Sequence, residues 1–230
     1  MDGSAAGPVV GIDGCRSGWV GVVLADGKPP RGVHGADIGA LMAAAGKVAV
    51  VAIDMPLHLT DGAWPRPCDL AARARLGRRA GTLFVVPPAR VYAAPTYAAA
   101  CALCRELTGR APSRQAWALG PKIAEVAAWH AAGPGEVYEV HPEVAFAAMT
   151  GAPIAARKVT WAGAAARRAA LAAEGIVVPD DIGPAGLLAG SDDVLDAAAV
   201  AWTARRIASG SATALGSVEL GEGCVQAIWA

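Results

Sequence analysis

The alternation of hydrophobic and turn-forming residues near the start of the chain predicts three short strands. Apolar residues that favour β structure fill 8–14 and 18–25, and a third run covers 31–36. A short turn separates the first two runs, and the hairpin sequence Asp26-Gly27 follows the second. The pattern therefore predicts an antiparallel three-strand meander.

Beyond the meander, helical and strand patterns alternate. Residues 37–45 predict a short helix capped by Asp37, and the continuous apolar run KVAVVAID at 47–54 is typical of a strand buried on both faces. We further predict helices over 69–79, 96–107, 113–132, 142–149, 163–174 and 191–210, a strand over 136–141, irregular chain over 81–92 and 177–188, and a closing strand or tail over 216–230. This order predicts an α/β fold.

Two of the predicted strands carry a carboxylate where burial would be costly. Asp13 lies between Gly11 and Gly14 in the first strand, and Asp54 ends the strand at 47–54. A buried carboxylate is unfavourable unless a cation or hydrogen-bond donors meet it. If these two strands are adjacent and parallel, the two acids lie at the same edge of the sheet.

The last predicted helix adds two more acids. Asp193 and Asp196 are three residues apart, so they share a helix face near its N-terminal end. Two bare carboxylates about 4 Å apart repel by about 4 kcal/mol at an effective dielectric constant of about 20. Four converging aspartates would therefore need a counter-charge, and oxygen ligands favour Mg²⁺ or Mn²⁺ over Zn²⁺.

Composition and charge narrow the classes of protein. The chain has 230 residues, and 54% of them are hydrophobic, which is typical of a compact globular protein. Its formal net charge of zero argues against binding of nucleic acid over the whole surface. The segment 66–122, however, contains ten basic residues against two acidic ones. A basic segment beside an acidic cluster could bind a phosphate backbone.

Cellular location is suggested by what the sequence lacks. The longest apolar run, 48–53, is too short to cross a bilayer, and the N-terminal residues show no secretion signal. Five cysteines, an odd number, favour reduced thiols. We therefore expect a cytoplasmic protein without a membrane partner. The pair Cys101 and Cys104 has no second pair to complete a zinc site.

Several stretches together resemble the DUF429 family of predicted ribonuclease H-like nucleases. They are GIDGCRSGW, AIDMPLHL, DLAARARLGRR, YEVHPEVAF, RKVTWAG and DDVLDAAAVAWTA, between residues 11 and 204. The resemblance implies a ribonuclease H-like mixed sheet, with the three-strand meander followed by parallel strands, flanked by helices. We expect one domain over 1–230 with a basic, mainly helical insertion at about 62–133. The resemblance also gives metal-ligand roles to Asp13, Asp54, Asp193 and Asp196.

Each acid also has a purely structural interpretation. Asp13 could form a turn between its two glycines, and Asp54 could cap the turn that follows it. Acids at the start of the last helix favour its positive end, an interpretation that we adopt for Asp192. Asp196 lies beyond the first turn, where the stabilisation by the positive helix end fades, so its position needs another explanation.

Other polar residues are candidates for catalysis or substrate binding. Glu139 and His141 share one face of a predicted strand, and could act as a fifth ligand and a water-ordering group, or could join Glu143 in a buried polar network. The candidate phosphate-binding residues are Arg16, Arg75, Arg78, Arg79, Lys122 and Lys158. Each of these could instead be a solvated or structural cation.

The leading hypothesis is a nuclease dependent on Mg²⁺ or Mn²⁺, with Asp13, Asp54, Asp193, Asp196, Glu139 and His141 as the catalytic set. A second hypothesis keeps the acidic site but replaces nucleic acid with a nucleotide or a small phosphoester. A third is a nucleic-acid-binding module without catalysis. A homodimer is compatible with the sequence, although nothing in it requires one.

Overall fold

A mixed five-stranded sheet forms the centre of the computed structural model, which describes residues 7–61, 64–133, 135–221 and 224–230. The strands are β1 (Val9–Cys15), β2 (Gly18–Leu24), β3 (Arg31–Gly35), β4 (Val50–Ile53) and β5 (Val137–Glu139). Their spatial order is β3-β2-β1-β4-β5. The first three strands are antiparallel, whereas β4 is parallel to β1 and β5 is parallel to β4. The predicted meander and the parallel placement of the fourth strand are confirmed.

Helices flank this sheet. They are α1 (Ile38–Ala45), α2 (Pro67–Leu76), α3 (Tyr97–Thr108), α4 (Arg114–Ala118), α5 (Gly120–Ala131), α6 (Pro142–Thr150), α7 (Trp161–Ala173), α8 (Pro184–Leu188) and α9 (Ser191–Ala208). Two 3₁₀ helices, Gly77–Thr82 and Ala89–Ala93, follow α2. A separate hairpin of β6 (Ala214–Gly221) and β7 (Cys224–Trp229) comes last. Among the residues described, no helix has both the length and the hydrophobicity to cross a bilayer.

The structure corrects two sequence predictions. The segment 177–188 is not wholly irregular, because α8 begins at Pro184, whose fixed φ suits the first turn of a helix. The segment 216–230 is part of a two-stranded hairpin rather than one strand, and the tip at 222–223 lies outside the described residues. Backbone bonds between Thr213 and Ala230 close its open end, at 2.7 and 3.0 Å.

The proposed insertion at about 62–133 includes α2 to α5, although residues 62–63 lie outside the described part of the chain. Its α3 shares a small buried cluster with the preceding 3₁₀ helix through Val91, Ala100 and Cys104. Its α5 instead contributes Ile123 and Val126 to a main core of the protein. The division of the chain into one domain with an insertion stays a prediction.

Strand alternation gives the sheet two different faces. Val9, Val50 and Ala52 pack with α6, α7 and α9 in one core. Val10, Ile12, Val51 and Ile53 pack with α1 and α5 in the other. Because side chains alternate between faces along a strand, every later residue of β1 and β4 can be assigned to one of these two layers.

Close backbone contact fixes α9 on the sheet. A Cβ at Gly11 would lie 2.0 Å from the backbone nitrogen of Ala201 and 2.4 Å from the backbone oxygen of Ala197. Only glycine in β1, facing small residues of α9, allows this approach. The N-terminal end of α9 is thereby held above the ends of β1 and β4.

Candidate functional site

Asp13 and Asp54 lie side by side on the face of the sheet that α9 covers. Ile12 of β1 is paired with Ile53 of β4, and the Asp54 amide donates to the Ile12 carbonyl at 2.9 Å. The next residue in each case is an aspartate, Asp13 within β1 and Asp54 directly after β4, and parallel neighbours in register point to the same face. The sheet therefore brings together two acids that are 41 positions apart in the chain.

The acids of α9 extend the same cluster. Asp196 is buried and Asp193 is half-buried, and both line one cavity with Asp13 and Asp54. The Asp193 carboxylate also accepts the Gly190 N–H at 3.3 Å, so it caps the helix. The cavity has a volume of about 730 Å³ and opens at the carboxyl ends of β1, β4 and β5.

Burial and mutual repulsion raise the pKa values of these carboxyl groups. Burial has the largest effect on Asp13, and the charges of Asp54 and Asp196 raise its pKa further. Burial, followed by the charge of Asp196, raises the pKa of Asp54 to about 8. Burial also raises the pKa of Asp196 to about 6, although Lys158 opposes that shift. Without a further cation, the cavity therefore favours the protonated form of some of these carboxyl groups at neutral pH.

One fully buried oxygen of the four aspartates has no hydrogen-bond partner among the described residues. Asp196 Oδ2 accepts a hydrogen bond from Lys158 Nζ at 2.6 Å, whereas Asp196 Oδ1 is buried without any hydrogen bond. An unsatisfied buried acceptor costs free energy unless something outside the protein meets it. In Asp13, the Oδ1 atom accepts the Gly14 N–H at 2.6 Å.

Glu139 differs from the aspartates in orientation and in partners. It is paired in register with Ile53, so it leaves β5 on the face opposite to Asp13 and Asp54. Arg66 donates to its two oxygens at 2.7 and 3.0 Å, and the Leu57 N–H donates at 3.1 Å. These contacts match the buried polar network, the alternative that the sequence left open. Glu139 also lines the cavity, so its role as a fifth ligand stays a prediction.

The network around Arg66 is closed and fully buried. Arg66 also donates to both oxygens of Asp69, at 2.6 and 3.2 Å. Among the described residues, the set of three His, Cys, Asp or Glu side chains with ligand atoms mutually within 4.8 Å is Cys68, Asp69 and Glu139. By spacing this group could hold a metal ion. Arg66, however, already occupies oxygens of both carboxylates, and burial raises the pKa of Cys68 to about 12.

His141 lines the same cavity as a neutral imidazole. Burial, and then the charge of Lys158, lower its pKa to about 4. Its Nδ1 is buried and has no hydrogen-bond partner. At neutral pH this atom can therefore accept a hydrogen bond from a water molecule or a substrate hydroxyl.

Only some of the predicted phosphate-binding residues face the cavity. Arg79, Lys122 and Lys158 line it. Lys122 is partly committed to the fold, because its ammonium donates to the Gly18 carbonyl at 2.5 Å and lies 4.1 Å from the Trp19 ring centroid. The remaining three, which are exposed and are not among the lining residues, are Arg16, Arg75 and Arg78.

Sequence reasoning missed two residues of this site. Arg157 lines the cavity beside Lys158. The sequence feature that could have identified it is its position directly before Lys158 in the RKVTWAG stretch. Arg66 appeared only as one charge of the basic segment, and no local pattern indicates that its partner Glu139 lies 73 positions away. The signal for its second partner was the spacing of Arg66 and Asp69, three residues apart at the start of a helix.

One known protein family matches almost the whole chain. The family described as "Protein of unknown function (DUF429)" matches residues 11–219. The chain belongs to this family. All four aspartates of the cavity fall within the matched range. No curated protein and no solved structure matches the chain.

Proposed function

We propose that this DUF429 protein is a metal-dependent nuclease that hydrolyses phosphodiester bonds at the Asp13 cavity. The observation that carries the proposal is one cavity, at the carboxyl ends of parallel strands, that four aspartates line, one of them with an unpartnered buried oxygen. Ligand and substrate sites in open α/β sheets favour this edge. The strand order and the directions of the five strands also support a ribonuclease H-like fold.

The residues fit a hard divalent cation. All four donors are carboxylates, the ligands preferred by Mg²⁺ and Mn²⁺, and Asp196 Oδ1 lacks a partner. Asp13, Asp54, Asp193 and Asp196 would hold the metal, with the first two as the rigid part of the site because they lie on adjacent strands. A bound Mg²⁺ or Mn²⁺ would supply Lewis acidity for the attack of water on a phosphodiester.

The chain's own residues supply binding and orientation. Arg79, Arg157 and Lys122 place positive charge on the wall of the cavity, where it would attract a phosphate group. His141 Nδ1 can accept a hydrogen bond from the attacking water and so orient it. The Arg66 network fixes the loop after β4, because Arg66 Nη1 also donates to the His58 carbonyl at 3.4 Å.

A nucleotide or small phosphoester is the second candidate substrate. The cavity volume of about 730 Å³ favours it, because pockets of this size commonly enclose small ligands. The two exposed arginines of the predicted phosphate-binding set in the α2 region, Arg75 and Arg78, lie outside the cavity lining, so a long nucleic acid would need additional contacts to reach them.

The test incubates the protein with labelled single-stranded, duplex, branched and hybrid nucleic acids, and with nucleotides, in Mg²⁺, Mn²⁺ or a chelator. We expect metal-dependent cleavage of at least one nucleic acid, lost in Asp13→Asn and retained in the surface control Asp26→Asn. Cleavage of nucleotides alone would select the second candidate. Cleavage of no substrate, with metal binding absent from the wild type, would reject both.

A further inference from the structure

Lys158 forms a direct ion pair with a buried aspartate of the cavity. Its ammonium lies 2.6 Å from Asp196 Oδ2 and 3.5 Å from Asp192 Oδ2, and its side chain is 36% exposed. Asp196 is almost completely buried, so Lys158 is the protein cation that reaches it directly. An ammonium group at this distance holds the position from which a metal ion would otherwise neutralise the carboxylate.

The loop that carries Lys158 is held in place by several contacts. A Cβ at Gly163 would lie 1.9 Å from the Arg157 carbonyl oxygen, so the loop lies tightly against the start of α7. The Thr160 hydroxyl donates to that same carbonyl at 2.7 Å and accepts the Gly163 N–H at 3.1 Å. Arg167, which is fully buried, donates to the Ala156 carbonyl at 3.2 Å. The segment that carries Lys158 is therefore held in place by packing and hydrogen bonds where its ammonium contacts Asp196.

This arrangement limits how many metal ions the cavity can hold. A second divalent ion bound to Asp196 Oδ2 would compete with the Lys158 ammonium for the same oxygen, and the two like charges would repel in a poorly solvated cavity. Asp13 and Asp54 have no lysine or arginine within salt-bridge distance among the described residues. One or two carboxylates are enough for Mg²⁺, which keeps several of its waters.

We propose that Lys158 takes the place of one divalent cation at Asp196 Oδ2, so that the cavity binds a single ion between Asp13, Asp54 and the unpartnered Asp196 Oδ1. The inference rests on the proposed metal-dependent function and refines it. Two-metal sites place their ions about 3.5–4 Å apart to stabilise both the attacking and the leaving oxygen. Here the fixed ammonium at Asp196 replaces the second ion as the positive charge on that side of the cavity.

The test counts Mn²⁺ ions per chain by titration calorimetry and by electron paramagnetic resonance, without any substrate. The wild type is expected to bind one Mn²⁺ with the spectrum of an isolated ion. Lys158→Met, which removes the charge but keeps a similar stem, is expected to bind a second, exchange-coupled Mn²⁺ or to bind Mn²⁺ at least tenfold more tightly. Lys158→Arg keeps the charge and is expected to bind one ion.

Lys47→Met provides the matched control, because it removes the same charge from an exposed residue just before β4, at the opposite end of that strand from Asp54. It is expected to bind one ion with wild-type affinity. Two coupled ions in the wild type would overturn the Lys158 proposal and leave the metal site standing, a result that needs no folded variant. An unchanged count and affinity in a folded Lys158→Met would also overturn it. The absence of Mn²⁺ binding in every variant would overturn the proposed function as well.

Discussion

Gly11 of β1 and Ala201 of α9 are in direct backbone contact. The space at Gly11 is so narrow that a Cβ there would lie 2.0 Å from the Ala201 nitrogen. This contact determines how closely the helix bearing Asp193 and Asp196 approaches the strand bearing Asp13. The geometry of the acidic cavity therefore depends on a residue that carries no side chain.

The first prediction is that Gly11→Ala destabilises the protein and weakens Mn²⁺ binding together. Backbone atoms cannot move aside as a flexible side chain can, so the loss in the free energy of unfolding should reach about 3 kcal/mol or more. For a chain of this size, Tm should fall by about 6–12 °C. Urea denaturation and thermal scans with and without Mn²⁺ measure both effects.

The control is Gly81→Ala, where an added Cβ meets no atom within 4 Å. It should keep wild-type stability. A Gly11→Ala protein as stable as the wild type would show that α9 can shift away from the sheet without cost.

The second prediction concerns Asp13→Asn. The amide keeps an acceptor for the Gly14 N–H but removes a charge repelled by Asp54 and Asp196. Without metal, Tm should therefore equal or exceed that of the wild type. The gain from Mn²⁺, about 2.7 kcal/mol in the wild type when the ion is present at 100 times its Kd, should be lost.

Thermal scans of Asp13→Asn at increasing Mn²⁺ concentration, beside the exposed Asp26→Asn control, make the comparison. A clear loss of stability with an unchanged response to Mn²⁺ would instead support a turn-forming role for Asp13.

The third prediction is that the metal-free protein loses stability as pH rises from about 6.5 to about 8. The folded-state pKa of Asp54 is raised to about 8, so the folded protein holds this proton more tightly than the unfolded chain does. Its stabilising effect is complete below the unfolded pKa and disappears as pH passes the folded value. Below about pH 6.5, protonation of buried His141, whose pKa is lowered, opposes the trend.

Scans of Tm against pH measure this slope. Asp54→Asn should make it shallower, because the substituted group does not titrate, while Asp13, whose pKa is also raised, still does. Mn²⁺ should reverse it in the wild type, because the ion binds ionised carboxylates and therefore binds more tightly as pH rises. A wild-type slope that persists unchanged in Asp54→Asn would assign it to other groups.

The fourth prediction is that Arg66→Ala is strongly destabilising. It leaves Glu139 and Asp69 buried without their shared cation, a change that typically costs about 3–5 kcal/mol. Arg66→Lys should restore only part of the loss, since an ammonium cannot pair with both carboxylates through the same fork of donors. Urea denaturation of both variants gives the free energies.

The exposed Arg75→Ala in α2, the helix that begins directly after Arg66, is the control for Arg66→Ala, and its stability should lie within about 0.5 kcal/mol of the wild type. If Arg66→Ala were as stable as this control, the buried network would not anchor the segment that follows β4.

Local patterns predicted the elements of this fold better than its long-range contacts. Apolar runs indicated β1 and β4. The acids near their carboxyl ends indicated a shared edge, because these ends meet at one edge of the sheet if the two strands are parallel neighbours. The facing of Glu139 was not predictable without knowing its register against Ile53. The contact between Lys158 and Asp196 joins residues 38 positions apart, and no periodic pattern encodes such a pair.

Glu139 and Asp54 leave the sheet on opposite faces, yet both line the Asp13 cavity. The segment 64–133 reaches this cavity as well, because its Arg66, Arg79 and Lys122 are among the lining residues. Substitutions at Arg79 or Lys122 would therefore alter the positive charge that a ligand meets beside the aspartates. Relatives could acquire different ligand preferences through this segment while keeping the same four acids.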